Sequence, residues 1–179
     1  MGFTLEEVGL EYLDEFISLY YATMDRVGAK QLYYFERPYF DYLFNEMGDN
    51  VKLFMCRHGE TAACFVLNFV CNEQIHGYLY AENVEYHKLC ISKLLYDEVI
   101  KWGHRKGYKT LHMGGGKESL RDFKLSFGGS AHVQSTWRYV ADRKVYDNLC
   151  SAAFEFAGKT PADDYFPEYR SPSLGLIRK

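Results

Sequence analysis

The residues best suited to chemistry fall in one stretch, where three glycines lead from a strand into a short helical segment. Residues 110–113 have the apolar character of a strand, and Gly114, Gly115 and Gly116 follow directly. Consecutive glycines let a backbone turn sharply and approach a ligand, and N–H groups at a helix start bind anions or carbonyl oxygens. Lys124 adds a cation that can stabilise an oxyanion or bind a phosphate. The pattern predicts such a site, with a plain turn and a solvated helix lysine as the alternatives.

Sequence periodicity predicts the elements that position this stretch. Apolar residues at helical spacing predict helices over residues 10–27, 37–47, 91–106, 117–127 and 143–157. Strand-like runs bounded by turns occur at 51–57, 61–71, 74–82, 109–113 and 131–141, while residues 3–8 fit a first strand or the approach to a helix. Only the strand–helix–strand step over residues 74–113 should make a parallel crossover, and short turns join the three strands between residues 51 and 82 into hairpins. The prediction is an α/β (α+β) fold: a mixed, mostly antiparallel sheet with helices on both faces.

Length and charge limit the class of protein. The 179 residues with a net charge of −3 predict one domain over residues 1–179, with 158–179 as a loop-rich C-terminal tail. The charge gives no overall field for nucleic acid. No apolar run reaches the length that spans a membrane, and the first residues do not form a signal peptide. A cytoplasmic location without membrane insertion is the expectation.

Cysteines and histidines give little support for a metal site. The five cysteines are scattered and lack CxxC spacing, so reduced, structural thiols are expected. Six histidines form no His-x-x-x-His pattern. Nucleophile-elbow and Walker patterns are absent as well. The sequence therefore predicts no metal and no covalent intermediate.

The predicted strand over residues 74–82 alternates in a way that suits a binding wall. Polar and aromatic side chains share one predicted face: Gln74, His76, Tyr78, Tyr80 and Glu82. Such a face would line a cleft, and a half-exposed strand is the equally weighted alternative.

Short aromatic and glycine motifs occur in a particular order along the chain. They are Tyr33-Tyr34-Phe35, Tyr39-Phe40, Gly107-Tyr108, the three glycines, Ser119-Leu120, Phe123-Lys124, Phe127-Gly128-Gly129 and Phe166-Pro167 with Tyr169-Arg170. This order resembles the FemAB-like acyltransferases, and the order of elements resembles the GNAT N-acyltransferase fold to which that branch is related. The resemblance covers roughly residues 10–170.

The resemblance implies transfer of an acyl group to an amine. Acetyl-CoA or another acyl-CoA is the donor ranked first, and an amino sugar, a peptide or a cell-envelope precursor is the acceptor. A FemAB-type enzyme that uses aminoacyl-tRNA, or a GNAT-like binding module without catalysis, is the alternative. Exposed strand edges and many tyrosines are compatible with a homodimer.

The resemblance also implies roles for individual residues. Proposed catalytic groups are Lys124, Glu82 as a base and Tyr139 as a proton donor, with Glu85 and His76 as rival bases. The stretch that matches the family's pyrophosphate loop has no glycine, and the donor-binding set is Lys88, Cys90, Ile91, Ser92 and Lys93 with Gly114, Gly115 and Gly116. Acceptor contacts fall on Tyr78, Tyr80, Tyr34 and Phe123, for which ordinary packing is the alternative. His112 is expected to be a hydrogen-bonded core histidine.

Overall fold

The computed structural model describes residues 2–116 and 118–176, with the side chain of Ser119 left undescribed. By internal contacts the chain divides into two compact units, of which the first runs to Ser130 and the second begins at Ala131. Predicted features at Met1, at Lys117 and beyond residue 176 lie outside the described residues.

Among the residues that the structure describes, the first unit contains four α-helices and five strands. The helices are α1 (Leu13–Arg26), α2 (Arg37–Met47), α3 (Ile91–Lys106) and α4 (Glu118–Leu125). The strands are β1 (Phe3–Val8), β2 (Val51–His58), β3 (Thr61–Cys71), β4 (Gln74–Glu82) and β5 (Thr110–His112). These elements confirm the predicted order, and residues 3–8 form a strand. A short 3₁₀ turn, Leu10–Tyr12, precedes α1, so the first predicted helix begins later as an α-helix.

The five strands form one sheet in the order β1-β2-β3-β4-β5. The first three pairings are antiparallel, and only β4 and β5 are parallel. Helix α3 provides the crossover that a parallel pair requires. The predicted mixed, mostly antiparallel sheet is confirmed.

Two hydrophobic clusters cover the two faces of the sheet. On one face, α1 and α2 bury large side chains such as Phe16, Tyr20 and Phe40. On the other face, α3 buries Leu95 and Val99 at helical spacing. We call these the α1/α2 face and the α3 face. Burial of both faces fixes which side chains of the central strands are accessible from each side.

The second unit contains residues 131–142, the helix α5 (Arg143–Ala157) and the chain that follows this helix. Short 3₁₀ turns form at Glu168–Arg170 and Pro172–Leu174, and the rings of Phe166 and Tyr169 contact Tyr146 of α5. These ring contacts hold the predicted loop-rich tail against α5.

The predicted strand over residues 131–141 is wrong, because this segment has no helix or strand. Its alternation is strand-like, but a strand exists only through hydrogen bonds to a neighbouring strand. Val133 and Trp137 are almost fully exposed instead, at 94% and 95%. Apolar alternation was thus not sufficient evidence for a strand.

Candidate functional site

The strands β4 and β5 form a fork at one edge of the sheet. The two strands pair only through Gln74–His76 and Thr110–His112. Beyond His76, β4 continues to Glu82, whereas the other strand ends and the chain enters the glycine turn. The sheet therefore opens at the point where the parallel pairing stops.

A β-bulge lies next to the start of this fork. Leu67 of β3 is paired with Leu79 of β4, and Asn68 is paired with Gly77, so Tyr78 is the extra residue. A bulge leaves one residue without a partner and bends the strand. Here it bends β4 where it separates from β5.

The bulge also changes which side chains share a face. Tyr80 packs against the cluster on the α3 face, as does Ile75, although the two are an odd number of residues apart. Tyr78 instead contacts Phe69 at 4.7 Å between ring centroids, and Phe69 belongs to the α1/α2 face. The predicted single polar face of residues 74–82 is therefore wrong. Strict alternation assumes a regular strand, and the extra residue reverses it.

Lys124, which the sequence analysis proposes as a functional residue, holds the glycine turn in place. Lys124 Nζ donates hydrogen bonds to the carbonyl oxygens of Gly114, at 3.0 Å, and Gly115. Burial lowers the pKa of Lys124 from its usual value. Gly114 and Gly116 have positive φ angles of +69° and +143°, which side-chain-bearing residues rarely adopt. The described geometry thus gives the ammonium a role in ordering the turn.

Replacing Lys124 tests that role. We expect Lys124→Met to lower the free energy of unfolding by about 1–2 kcal/mol, because two carbonyl hydrogen bonds to a charged donor are lost. Arg121→Met is the matched control on α4, since Arg121 is exposed, and a change within about 0.5 kcal/mol is expected. Urea denaturation of both variants measures the difference, and equal stabilities would show that the lysine does not anchor the turn.

The start of α3 has an unusual backbone conformation. Cys90 immediately precedes the helix with φ 53° and ψ 40°, in the left-handed region that favours glycine. Ile91 and Ser92 occupy the first helical positions, where N–H groups have no acceptor within the helix. Lys88 and Lys93 flank this point in the sequence. The chain therefore presents backbone donors and nearby cations without the glycines that usually permit this turn.

An open cavity of about 770 Å³ lies against the same helix start. Its lining includes Cys90, Ile91 and Lys93, together with the aromatic residues Phe3 and Tyr86. The lining is mainly apolar with a lysine at its border. Such a surface suits a flat ring next to an anionic group.

Glu82 lies at the end of β4 and is buried, with three donors around its carboxylate. Tyr80 donates to Oε1 at 2.9 Å, Arg26 donates to Oε2 at 3.2 Å, and His87 Nδ1 lies 2.6 Å from Oε2. The Glu82 N–H also donates to Thr23 Oγ1 at 2.9 Å. Burial is the main cause that raises the pKa of Tyr80 above its ordinary value. These contacts connect α1, β4 and the turn before α3.

The segment between α1 and α2 is fastened through tyrosine hydroxyl groups. Tyr20 donates to the carbonyl of Tyr33, and Tyr34 donates to Asp25 Oδ1, each at 2.7 Å. The predicted acceptor residue Tyr34 is thus held by α1. The many tyrosines in this segment act here as an apolar body with a polar tip that fixes a loop.

Aromatic rings and imidazoles gather on the α1/α2 face of the fork. The hydroxyl groups of Tyr39 and Tyr78 are 2.5 Å apart. The rings of His76 and His112, on adjacent strands, have centroids 5.5 Å apart. Gly114 donates its N–H to His112 Nδ1 at 3.3 Å, so His112 is hydrogen-bonded as expected, but it is exposed rather than in the core. This face places two imidazole rings beside the vertex of the fork.

Phe123 and Glu85, two further predicted site residues of the first unit, have contacts of their own among the described residues. Phe123 packs in a trio with Tyr96 and Phe127, at centroid distances between 5.4 and 6.1 Å. Tyr139 belongs to the second unit and is 82% exposed. Glu85 is exposed, and its N–H is bonded to Asn83 Oδ1. The roles assigned to these residues stay predictions.

Two residues with notable surroundings in the structure, Asn68 and His87, were not predicted from the sequence. Asn68 is fully buried beside the bulge, and the only sequence signal is one amide inside the apolar run 65–70. His87 contacts Glu82, and nothing in the sequence pattern pairs them. Among the described residues, no group of three His, Cys, Asp or Glu side chains could hold a metal ion.

A family model described as an acetyltransferase (GNAT) domain matches residues 1–125. The chain belongs to this family. This GNAT protein is therefore an acyltransferase, and the acyl donor of GNAT acetyltransferases is an acyl-CoA. The family match confirms the GNAT part of the resemblance, whereas the FemAB-like branch stays a prediction.

Solved structures of acetyltransferases share the fold. An aminoglycoside acetyltransferase from an uncultured soil metagenomic sample, in complex with trehalose, has a TM-score of 0.62 and 17% identity, covering 79% of this chain and 97% of its own. The ribosomal-protein-S18-alanine N-acetyltransferase from Escherichia coli has a TM-score of 0.59 and 12% identity, and the match covers 78% of this chain and 86% of that protein. The ribosomal-protein-alanine N-acetyltransferase from Brucella melitensis biovar Abortus 2308 has a TM-score of 0.57 and 13% identity, and the match covers 79% of this chain and 100% of that protein.

No curated protein matches the chain. At identities below 20%, the structural matches show the fold and leave the substrate to the residues of this chain. In the part of the chain that the structure describes, no helix is long and apolar enough to cross a membrane.

Proposed function

We propose that the protein transfers an acetyl or other acyl group from acyl-CoA to an amine on an amino sugar, a peptide or a cell-envelope precursor. The observation that carries the donor assignment is the left-handed conformation of Cys90 at the start of α3. The helix N-terminus beside it offers backbone N–H groups to the donor pyrophosphate. In this arrangement the extended arm of CoA lies along the fork and brings the thioester to the bulge.

The reaction needs a carbonyl donor, a neutral amine and a base. The amine nitrogen attacks the thioester carbonyl carbon, so a C–N bond forms and the C–S bond breaks. The proton lost by the nitrogen goes to a base, and the CoA sulfur leaves and is protonated to the thiol. His76, whose ring lies beside that of His112 at the vertex, is the proposed base for the first proton transfer, and Lys124, which is bonded to the glycine turn, is the proposed oxyanion donor.

The acceptor is proposed to approach from the α1/α2 face. There the aromatic rings of Phe35, Tyr39 and Tyr78 lie close together, with 4.5 Å between the centroids of the first two. Aromatic faces attract ammonium groups and the apolar faces of sugars. Similar structures named above act on an aminoglycoside and on a ribosomal-protein alanine, which agrees with an amine acceptor.

Isothermal titration calorimetry with acetyl-CoA tests the donor, and two substitutions at residue 90 sharpen the test. We expect Cys90→Gly to bind acetyl-CoA at least as tightly as the wild type, because glycine adopts the left-handed conformation without a steric penalty. Cys90→Val should bind more weakly by about tenfold or more, because a β-branched residue resists that conformation and would distort the helix start.

The two variants separate backbone geometry from thiol chemistry, since both remove the sulfur. If both variants lose binding equally, the thiol rather than the turn matters. Failure of the wild type to bind acetyl-CoA at millimolar concentration would reject acyl-CoA as the donor and favour aminoacyl-tRNA or a binding module.

A further inference from the structure

The buried amide of Asn68 has no hydrogen-bond partner. Asn68 is 0% exposed on β3, and neither Oδ1 nor Nδ2 finds a partner among the described residues. Its neighbours on the α3 face of the same strand, Val66 and Val70, are buried apolar side chains. A buried polar group without a partner lowers stability, and most such groups in folded proteins are paired. An amide at this position therefore suggests a partner that arrives with a ligand.

Asn68 faces the vertex of the fork. It pairs with Gly77, the residue that precedes the bulge at Tyr78. A Cβ atom placed on Gly77 would lie 3.8 Å from Asn68 Oδ1, 3.6 Å from the carbonyl oxygen of His112 and 3.8 Å from Met113 Cα. The missing side chain at Gly77 thus leaves a small space, with the amide on one side and the end of β5 on the other.

We propose that Asn68 binds the acyl carbonyl of the donor, with Nδ2 donating a hydrogen bond to the thioester oxygen in the space above Gly77. This assignment rests on the proposed acyl-CoA donor. The amide oxygen and nitrogen exchange places by a rotation of the terminal torsion, so either can face the fork. Such a bond strengthens as negative charge develops on the carbonyl oxygen, because the site is shielded from water.

The location agrees with the rest of the site. The histidines His76 and His112 lie on the opposite face at the same vertex. A thioester held from the α3 face by Asn68 therefore exposes its carbonyl carbon toward the face that carries His76, the proposed base. The amine and the hydrogen-bond donor then lie on different sides of the reacting carbon.

Asn68→Leu tests the inference, because it replaces the amide with an apolar group of similar size. We expect an unchanged or higher melting temperature, since an unpaired polar group is removed. Affinity for acetyl-CoA should fall by about three- to tenfold, while affinity for free CoA stays the same. The kcat value should fall by about 10²-fold, as for the loss of one oxyanion donor. Asn45→Leu, on the exposed surface of α2, is the control and should match the wild type.

Infrared difference spectra of acetyl-CoA labelled with ¹³C at the thioester carbonyl give a readout that a structural role would not change. The carbonyl stretch should shift to lower frequency on binding to the wild type, and this shift should be lost in Asn68→Leu. If the leucine variant does not fold, Asn68→Ala is measured in the same way. An unchanged carbonyl shift, or equal losses of CoA and acetyl-CoA affinity, would overturn the role of Asn68 and leave the proposed function intact. Absence of wild-type binding to both ligands would instead reject the proposed function.

Discussion

Gly77→Ala is expected to remain folded and to lose about 10²-fold or more in kcat/KM for acyl transfer. The added methyl group would occupy the space between Asn68 and the end of β5, where its nearest neighbours lie at 3.6 to 3.8 Å. These are ordinary contact distances, so the protein can accommodate the methyl. A thioester that must enter the same space would collide with this methyl group. A displacement of about 1 Å from the reactive position is enough to lower kcat/KM by about 10²-fold.

Stability separates this result from misfolding. Gly77 lacks the positive φ that would strain alanine, so Gly77→Ala should keep the wild-type free energy of unfolding or gain about 0.4–1 kcal/mol. Gly129→Ala is the matched control, because a methyl there meets open space after α4. Steady-state kinetics and urea denaturation are measured on both variants. A Gly77→Ala protein with wild-type kcat/KM would show that the thioester does not lie above residue 77.

The sequence was sufficient to predict the order of elements in the first unit, although not the lack of a strand over residues 131–141. Helical periodicity and short turns define most helices and strands, and the strand–helix–strand step from β4 to β5 predicts the parallel pair. The glycine turn and, with it, Lys124 could be predicted because consecutive glycines after a strand indicate a sharp turn of the backbone. These features depend on local sequence.

Other parts of the site could not be predicted because they depend on strand register and backbone conformation. The bulge at Tyr78 cannot be recognised from the sequence, because the residue types of β4 alternate regularly. It nevertheless places the Tyr80 side chain on the α3 face. The left-handed turn at Cys90 is hidden because the residue is not glycine. The sequence predicts Glu82 as a base, but it does not show that the partners of its carboxylate come from α1 and from the turn before α3.

Glu82→Ala is expected to cause the largest loss of stability, about 3 kcal/mol. The carboxylate side chain is 4% exposed, and its removal leaves Arg26 and Tyr80 without their acceptor in a partly buried site. Glu82→Gln keeps an acceptor for Tyr80 but loses the charge, so an intermediate loss is expected. Glu46→Ala, an exposed change on α2, should alter the free energy of unfolding by less than about 0.5 kcal/mol.

The position of the hydrogen bonds around Glu82 predicts which part of the structure opens first. Because Glu82 holds both Arg26 of α1 and His87 of the 3₁₀ turn Val84–Leu89, its loss should free that turn before the sheet unfolds. Hydrogen exchange should therefore accelerate at the amides of this turn in Glu82→Gln, while the amides of β3 keep their protection. The same turn leads to Cys90 and the proposed pyrophosphate site, so acetyl-CoA affinity should fall together with that protection. Unchanged exchange in the turn would mean that the buried carboxylate stabilises the sheet end without shaping the donor site.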